Sequence, residues 1–364
     1  MAADFTLLQV IGSAFQLPGK LLSFKTIDIG HINETIRVTF MNQDGKVDHY
    51  MFQRINTEVF KDPEAIMQNI ELVTEHILKK KIPGQIAQRF RKTKEGKNYL
   101  WTEDGSFWRV WDYIEAVTFD STKDLRVVKD VGEAFGAFET ALSDLDGALL
   151  TETIPDFHNT TKRLQTLFSH EESDPYRRKE KVLSELKFFH ESFEEAAAVY
   201  EAFRAGAYPV RVTHNDTKAN NVLFDPVTKA PLAVIDLDTV MPGMASYDFA
   251  DAARYICSSS EEDEEDVSRI YFDTEKFTAL AKGFIGKVKG VLTGEEIDSF
   301  PEACFAITVE TASRFLDDYL TGDKYFRTTY PGHNLVRARA GIALAKSIRE
   351  KNETLHSIIR TVMA

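Results

Sequence analysis

Cysteine is scarce in this chain of 364 residues: Cys257 and Cys304 are the two present, far apart and outside any CxxC pair. That spacing excludes a zinc ribbon and a disulfide scaffold, and both thiols are expected to be inert core groups. Long apolar runs are missing too. None approaches the roughly 20 residues a membrane span needs, and the start MAADFTLLQV lacks the basic segment and cleavage site of a secretory leader. A cytoplasmic location is expected, with no membrane partner. Positive charge is in short supply, with 44 Lys and Arg against 57 Asp and Glu for a net charge of −13. This argues against a broad nucleic-acid surface. No internal repeat is evident. What is present is an ordinary globular composition, 43% hydrophobic, able to bury a large core. The expected partner is a small molecule, and the expected state is a monomer or small homo-oligomer.

Residues 22–113 read as short strands and turns around one helix. Strands are predicted over 36–40, 49–54 and 108–113, the first two joined by the turn Asn42-Gln43-Asp44-Gly45. Asp62-Pro63 starts a helix whose Ile66, Ile70, Val73 and Ile77 share one face, and Ile82-Pro83-Gly84 ends it. After Ile114 the period changes. Leu125, Val128, Val131, Phe135, Phe138, Leu142 and Leu145 fall three or four apart, as do Val182, Leu186, Phe189, Phe193, Tyr200 and Phe203, and again Phe305, Val309, Ala312, Leu316 and Tyr319. The reading is an α+β bilobal chain: a small antiparallel-sheet lobe over 1–114 and a larger, mainly helical lobe over 115–364, with short strands near Val222 and Val234. The acidic run 261–266 reads as a solvated loop.

The informative stretch runs from Val212 to Asp238. It fits His-x-Asp-x4-Asn (His214, Asp216, Asn221), then an apolar strand that delivers Asp236 and Asp238. Phosphoryl transfer from ATP needs a carboxylate to orient the attacking hydroxyl and a metal to offset phosphate charge. Asp216 suits the first task, while Asn221 and Asp236 offer the hard oxygens that Mg²⁺ prefers. Lys218 can approach the transferring phosphate as a point charge, and solvation of its ammonium is an equal alternative. His214 is read as a backbone holder more than a base. Protein kinases place an Asp, an Asn and a second Asp in a comparable way, so the expected fold is protein-kinase-like.

The segments GHINETI, ETIPDFH, RVTHNDTKANNVLFD, VIDLDTVMPG, SRFLDDYL and YPGHNLVR resemble those of bacterial N-acetylhexosamine 1-kinases, within the aminoglycoside-phosphotransferase and choline-kinase-like superfamily. The resemblance runs from near residue 29 to near residue 337. It implies ATP- and Mg²⁺-dependent phosphorylation of the anomeric hydroxyl of N-acetylglucosamine or N-acetylgalactosamine. It also implies Asp216 as the catalytic residue, which would meet the sugar hydroxyl, and Asn221 and Asp236 as the metal pair. Asp238, Arg314 and Tyr325 align with positions that look like sugar contacts, and Asp248 with a residue that supports the catalytic loop.

Two absences depart from the protein-kinase pattern. The turn Asp28-Ile-Gly30-His31-Ile-Asn33 has one glycine where a glycine-rich phosphate loop is expected, and the strand Tyr50-Met-Phe-Gln53-Arg54 has no lysine. By the resemblance, Gln53 or Arg54 takes the lysine's place. Gly30 allows close approach to a nucleotide, and His31 and Asn33 bring donors to the cleft rim, toward phosphate or sugar. Glu71 is a candidate to orient Arg54 or to help order Mg²⁺, with an ordinary surface glutamate an equal alternative, and Ile114 is expected to meet adenine through its backbone. Nothing in the spacing says what His333 and Arg337 touch. Two alternatives stay open: a kinase of the same fold for choline, homoserine, another sugar or an aminoglycoside, and a nucleotide-binding protein without turnover.

Overall fold

Alternation of apolar and polar residues along the N-terminal strands builds a sheet with two chemically different faces. The structure, a computed structural model, describes residues 4–27, 33–82 and 86–364. A helix, α1 (Phe5–Ala14), is followed by β1 (Lys20–Ile27), β2 (Glu34–Met41), β3 (Val47–Ile55), helix α2 (Pro63–Lys80), β4 (Leu100–Trp101) and β5 (Phe107–Asp112). The strands form an antiparallel sheet in the order β1-β2-β3-β5-β4. Ile36, Val38, Phe40, Tyr50, Phe52, Trp108 and Val110 turn to one face and cluster with Leu8 and Ile11 of α1 and with Phe15, which caps it. Their neighbours Thr35, Arg37, Met51, Gln53, Arg109 and Trp111 turn the other way and line a cleft.

The predicted hairpin is closed by Asn42, whose Oδ1 accepts from the Asp44 and Lys46 backbone N–H groups, with Gly45 in the left-handed region. α2 is capped by Asp62, which accepts from Ala65 N at 3.0 Å, with Pro63 at its first position. The helix α1 and the strand β1 extend the lobe beyond the strands predicted from sequence, and β5 ends at Asp112 rather than 113.

The remainder is α3 (Leu125–Leu142), α4 (Thr160–Ser173), α5 (Leu183–Arg204), β6 (Arg211–Thr213), β7 (Val222–Phe224), β8 (Pro231–Val234), β9 (Met241–Gly243), α6 (Ala245–Ile256), α7 (Thr274–Val288), α8 (Gly294–Asp298), α9 (Phe300–Leu320), α10 (His333–Glu350) and α11 (Asn352–Met363). The three predicted apolar faces fall on α3, α5 and α9, except that Leu125 at the start of α3 is exposed and Leu145 and Val182 lie just outside α3 and α5. α9 is the central helix, packed by α4, α5, α6 and α10, with Val309, Ala312 and Leu316 buried. Cys257 and Cys304 are buried free thiols. Among the described residues no helix is long and apolar enough to cross a membrane.

Two short antiparallel pairs place the chemistry. β6 pairs with β9 and β7 with β8, the latter through Val222 and Val234. The loop leaving β6 and the segment leaving β8 therefore run side by side beneath the polar face of the sheet.

Candidate active site

The loop after β6 is held from below by α6. Asp248 accepts from the backbone N–H groups of His214 (2.6 Å) and Asn215 (2.7 Å), and Asp251 accepts from Thr217 N at 3.0 Å. Two buried carboxylates thus fix three loop amides, which makes a turn with few alternatives. The His214 ring sits between Phe135 and Phe138. Its Nε2 reaches the Ile235 carbonyl at 2.9 Å, and Asp216 N–H donates to its Nδ1 at 3.3 Å. These bonds fix the tautomer with the proton on Nε2, so both ring nitrogens are engaged within the loop. Asn215 takes φ 64°, a left-handed conformation that Asn tolerates, and its amide donates to the Thr239 carbonyl. β9 comes so close that a Cβ on Gly243 would lie 2.3 Å from Thr213 Oγ1. Glycine is required there.

Above this scaffold, Asp216 pairs with Lys218 at 2.9 Å. Burial pushes the Asp216 carboxyl up, but the Lys218 ammonium outweighs it and holds the group below its ordinary value, while Asp216 in turn pushes Lys218 up. The Asn221 amide nitrogen donates to the Asp216 carbonyl at 2.9 Å, which fixes the side chain and leaves its oxygen facing the cleft. Asp236 has φ 62°, and among the described residues no donor reaches its carboxylate. It is open to the cleft yet enclosed by protein atoms elsewhere, so burial, then the Asp238 and Asp216 charges, push it up to about 6. A cation at Asp236 and Asn221 would relieve that repulsion.

Among the described residues no cluster of three or more His, Cys, Asp or Glu side chains is arranged to hold a metal ion. An amide oxygen, one carboxylate, phosphate oxygens and water are the donor set that suits Mg²⁺, which seldom takes an all-protein cage. The residues present fit that ion.

Gln53 and Arg54 fall on opposite faces of β3 by the pleat. Gln53 turns into the cleft and donates to Thr35 Oγ1 at 2.8 Å. Arg54 turns away, paired with Glu34 at 2.7 Å and lying over the Trp108 ring. Of the two residues expected to take the lysine's place, Gln53 is the one on the cleft wall. Glu71 is held by Lys92 and Asn98. The cation beside Gln53 on the cleft wall is instead Arg109 of β5, directly opposite Gln53 in the ladder. Its Nε and Nη2 donate to Gln53 Oε1 at 2.8 and 2.5 Å, and its Nη1 to Asp238 Oδ1 at 2.5 Å. Asn33 donates to the other oxygen of Asp238 at 2.9 Å.

Asn33, Gln53, Ile114, Asp216, Lys218, Asn221, Asp236 and Asp238 thus line one cavity of about 550 Å³ between the sheet and the loop. Among the described residues nothing bonds the Ile114 backbone, which leaves its amide and carbonyl available to a ligand. Gly30 and His31 lie outside the described residues. Arg314 and Tyr325 do not line this cavity. They meet each other at 5.9 Å, beside Phe157 and Phe326. One turn before Arg314, Glu310 binds His158 Nδ1 at 2.8 Å, and His158 Nε2 reaches the Asn215 carbonyl at 2.9 Å, next to Asp216. With acceptors at both nitrogens, the geometry favours the protonated ring of His158. Burial alone would push it down, but the Glu310 charge outweighs that and raises it.

The acidic run is engaged rather than merely solvated. Glu262 pairs with Arg254, and Asp263 with His333. Arg337 donates to the Arg327 carbonyl and to Asn334. Sequence reasoning missed Arg109, the His158–Glu310 pair and Glu139. Glu139 is a buried carboxyl of α3 that burial and Asp248 push well above the ordinary range.

Comparison with known proteins shows what the chain and its fold are similar to. The sequence model of the phosphotransferase enzyme family matches residues 23–280. The fold is similar to that of an aminoglycoside phosphotransferase from Alicyclobacillus acidocaldarius (TM-score 0.62, 14% identity, covering 99% of this chain and 98% of that one). It is also similar to that of a microcompartment-associated aminopropanol kinase (TM-score 0.60, 13% identity, covering 96% and 98%). A third similar structure is amicoumacin kinase in complex with AMP-PNP, Ca²⁺ and Ami (TM-score 0.59, 11% identity, covering 96% and 94%).

Proposed function

We propose, from the premise that this chain belongs to the phosphotransferase enzyme family, that it is an Mg-ATP-dependent kinase acting on the anomeric hydroxyl of an N-acetylhexosamine. One observation carries the kinase reading: Asp216, Lys218, Asn221 and Asp236 line a single cavity whose opposite wall is the polar face of the sheet. On this reading residues 1–114 bind nucleotide and residues 115–364 supply catalysis and the acceptor site. Adenine lies against Ile114, and the phosphates extend toward Lys218. Mg²⁺, when bound by Asn221 and Asp236, offsets phosphate charge.

Asp216 is held ionised by Lys218, so it accepts a hydrogen bond from the acceptor hydroxyl and aligns it for in-line attack. In a loose transition state positioning matters more than full proton removal, and an anomeric hydroxyl is already more acidic than an ordinary alcohol. The sugar assignment is supported by the resemblance of six segments and by Arg314, whose guanidinium lies among Phe157, Tyr325 and Phe326. Such a site offers donors to hydroxyls and rings to stack on a pyranose.

The test is ³¹P NMR of product mixtures made with Mg-ATP and, separately, N-acetylglucosamine, N-acetylgalactosamine, galactose, choline, homoserine and aminopropanol. A sugar 1-phosphate from either N-acetylhexosamine, absent with Asp216→Asn, is the expected result. A phosphorylated amino alcohol instead would keep the machinery and overturn the sugar.

A further inference from the structure

A kinase cleft needs its two walls held at a fixed separation, because a triphosphate and its metal must touch both. Here no lysine on β3 is available for that task. The Arg109 guanidinium occupies the space between the walls, and it is almost wholly enclosed: the Arg109 and Asp238 side chains are 4% and 3% exposed. Gln53 donates to Thr35, which turns its amide oxygen toward Arg109, and that oxygen takes two of the guanidinium N–H groups. A third goes to Asp238, which belongs to the opposite wall. Phe90 and Trp111 stand 5.8 and 5.7 Å from the guanidinium carbon and limit its swing.

We propose that Arg109 is a positioning residue that bolts the sheet to the metal-bearing segment: it neutralises Asp238 and leaves Asp236 as the carboxylate presented to the metal. The proposal rests on the reading of the cleft as an Mg-nucleotide site. Asp238 follows Asp236 by two residues and is buried. Without Arg109 it would be an uncompensated carboxylate with Asn33 as its remaining side-chain donor among the described residues. Such a group either pushes its segment toward water or competes for the cation. In both cases the metal and the nucleotide lose their geometry. An arginine suits the task where a lysine does not, since its planar fork can hold an amide and a carboxylate at once.

The experiment compares wild type, Arg109→Met, Asp238→Asn and the double variant. Binding of Mg-ATP is followed by intrinsic fluorescence, to which all three tryptophans contribute from β4 and β5, and turnover is followed by ADP release with the acceptor found by NMR. Arg109→Met should raise both the half-saturating Mg²⁺ concentration and the KM for ATP by about tenfold or more, and leave the acceptor KM within about twofold. The double variant removes both buried charges, so it folds even if Arg109→Met does not. It should be no worse than the poorer single variant. Losses that multiply in the double variant, or a fall in kcat with unchanged Mg²⁺ dependence, would overturn the bolt. Wild type that fails to bind Mg-ATP would instead overturn the nucleotide reading beneath it.

Discussion

The two walls of the cleft are held by different means. On the helical side, side chains that do chemistry stand on a loop whose backbone amides are gripped by Asp248 and Asp251, so the loop's shape is set before any ligand arrives. On the sheet side, Gln53 and Arg109 hold each other, and Arg109 and Asn33 hold Asp238, mainly through side chains, with Asn33 Oδ1 in turn accepting from the Asn56 backbone N–H. A wall fixed through backbone amides presents reactive groups at constant geometry. A wall fixed through side chains can exchange partners when a nucleotide enters. Changes in the first wall should therefore abolish chemistry or stability, and changes in the second should alter nucleotide and metal affinity.

The largest separation is expected at Asp216. Asp216→Asn should lower kcat by about a thousandfold, the range for removal of a group that assists proton movement, and change ATP affinity little. Asp236→Asn should cost about a hundredfold and raise the Mg²⁺ requirement. Because its surroundings and the Asp238 and Asp216 charges push the Asp236 carboxyl up to about 6, proton and cation compete for it. The half-saturating Mg²⁺ concentration should fall as pH rises through about 6 and level off above, and Asp236→Asn should remove that slope. The measurement is Mg²⁺ titration of turnover across pH.

Asp248→Ala leaves two buried backbone amides without acceptors and should destabilise the fold by about 2–5 kcal/mol in urea unfolding. The His158–Glu310 pair is expected to show as a pH dependence of the same unfolding. His158 is raised above its unfolded value, so its contribution is complete below about 6.5 and is lost as pH rises through the folded value. Glu310 is lowered, so its share is present above about 4.3 and is lost as pH falls through its folded value. His158→Gln should flatten the alkaline side of that profile. The smallest effect is expected on the sheet wall: Gln53→Ala should raise the KM for ATP by about threefold with kcat nearly unchanged.

The same contrast explains what could be read from sequence. The helical wall is local: His214, Asp216, Lys218, Asn221, Asp236 and Asp238 lie within one short stretch, and a loop followed by a strand brings them together with little freedom. The faces of α3, α5 and α9 were legible from period alone. The sheet wall depends on register, which spacing does not supply. Period two did contain part of it: Tyr50 and Phe52 mark the core face of β3, so Gln53 had to turn to the cleft and Arg54 away. Arg109, a charge between Trp108 and Val110, was a similar signal. Glu139 interrupts the apolar face of α3 in the same way. α1 was announced by Asp4 and the spacing of Leu8, Ile11 and Phe15. His158 and Glu310 lie 152 residues apart, and no local pattern joins them.

The central claim is that the loop wall performs phosphoryl transfer while the sheet wall receives the nucleotide. The most direct measurement is calorimetric binding of Mg-ATP to wild type and Asp216→Asn, paired with turnover of both on the acceptor found by NMR. The account predicts closely similar affinities and loss of turnover in the variant. Turnover retained by Asp216→Asn at a rate near that of wild type would contradict it.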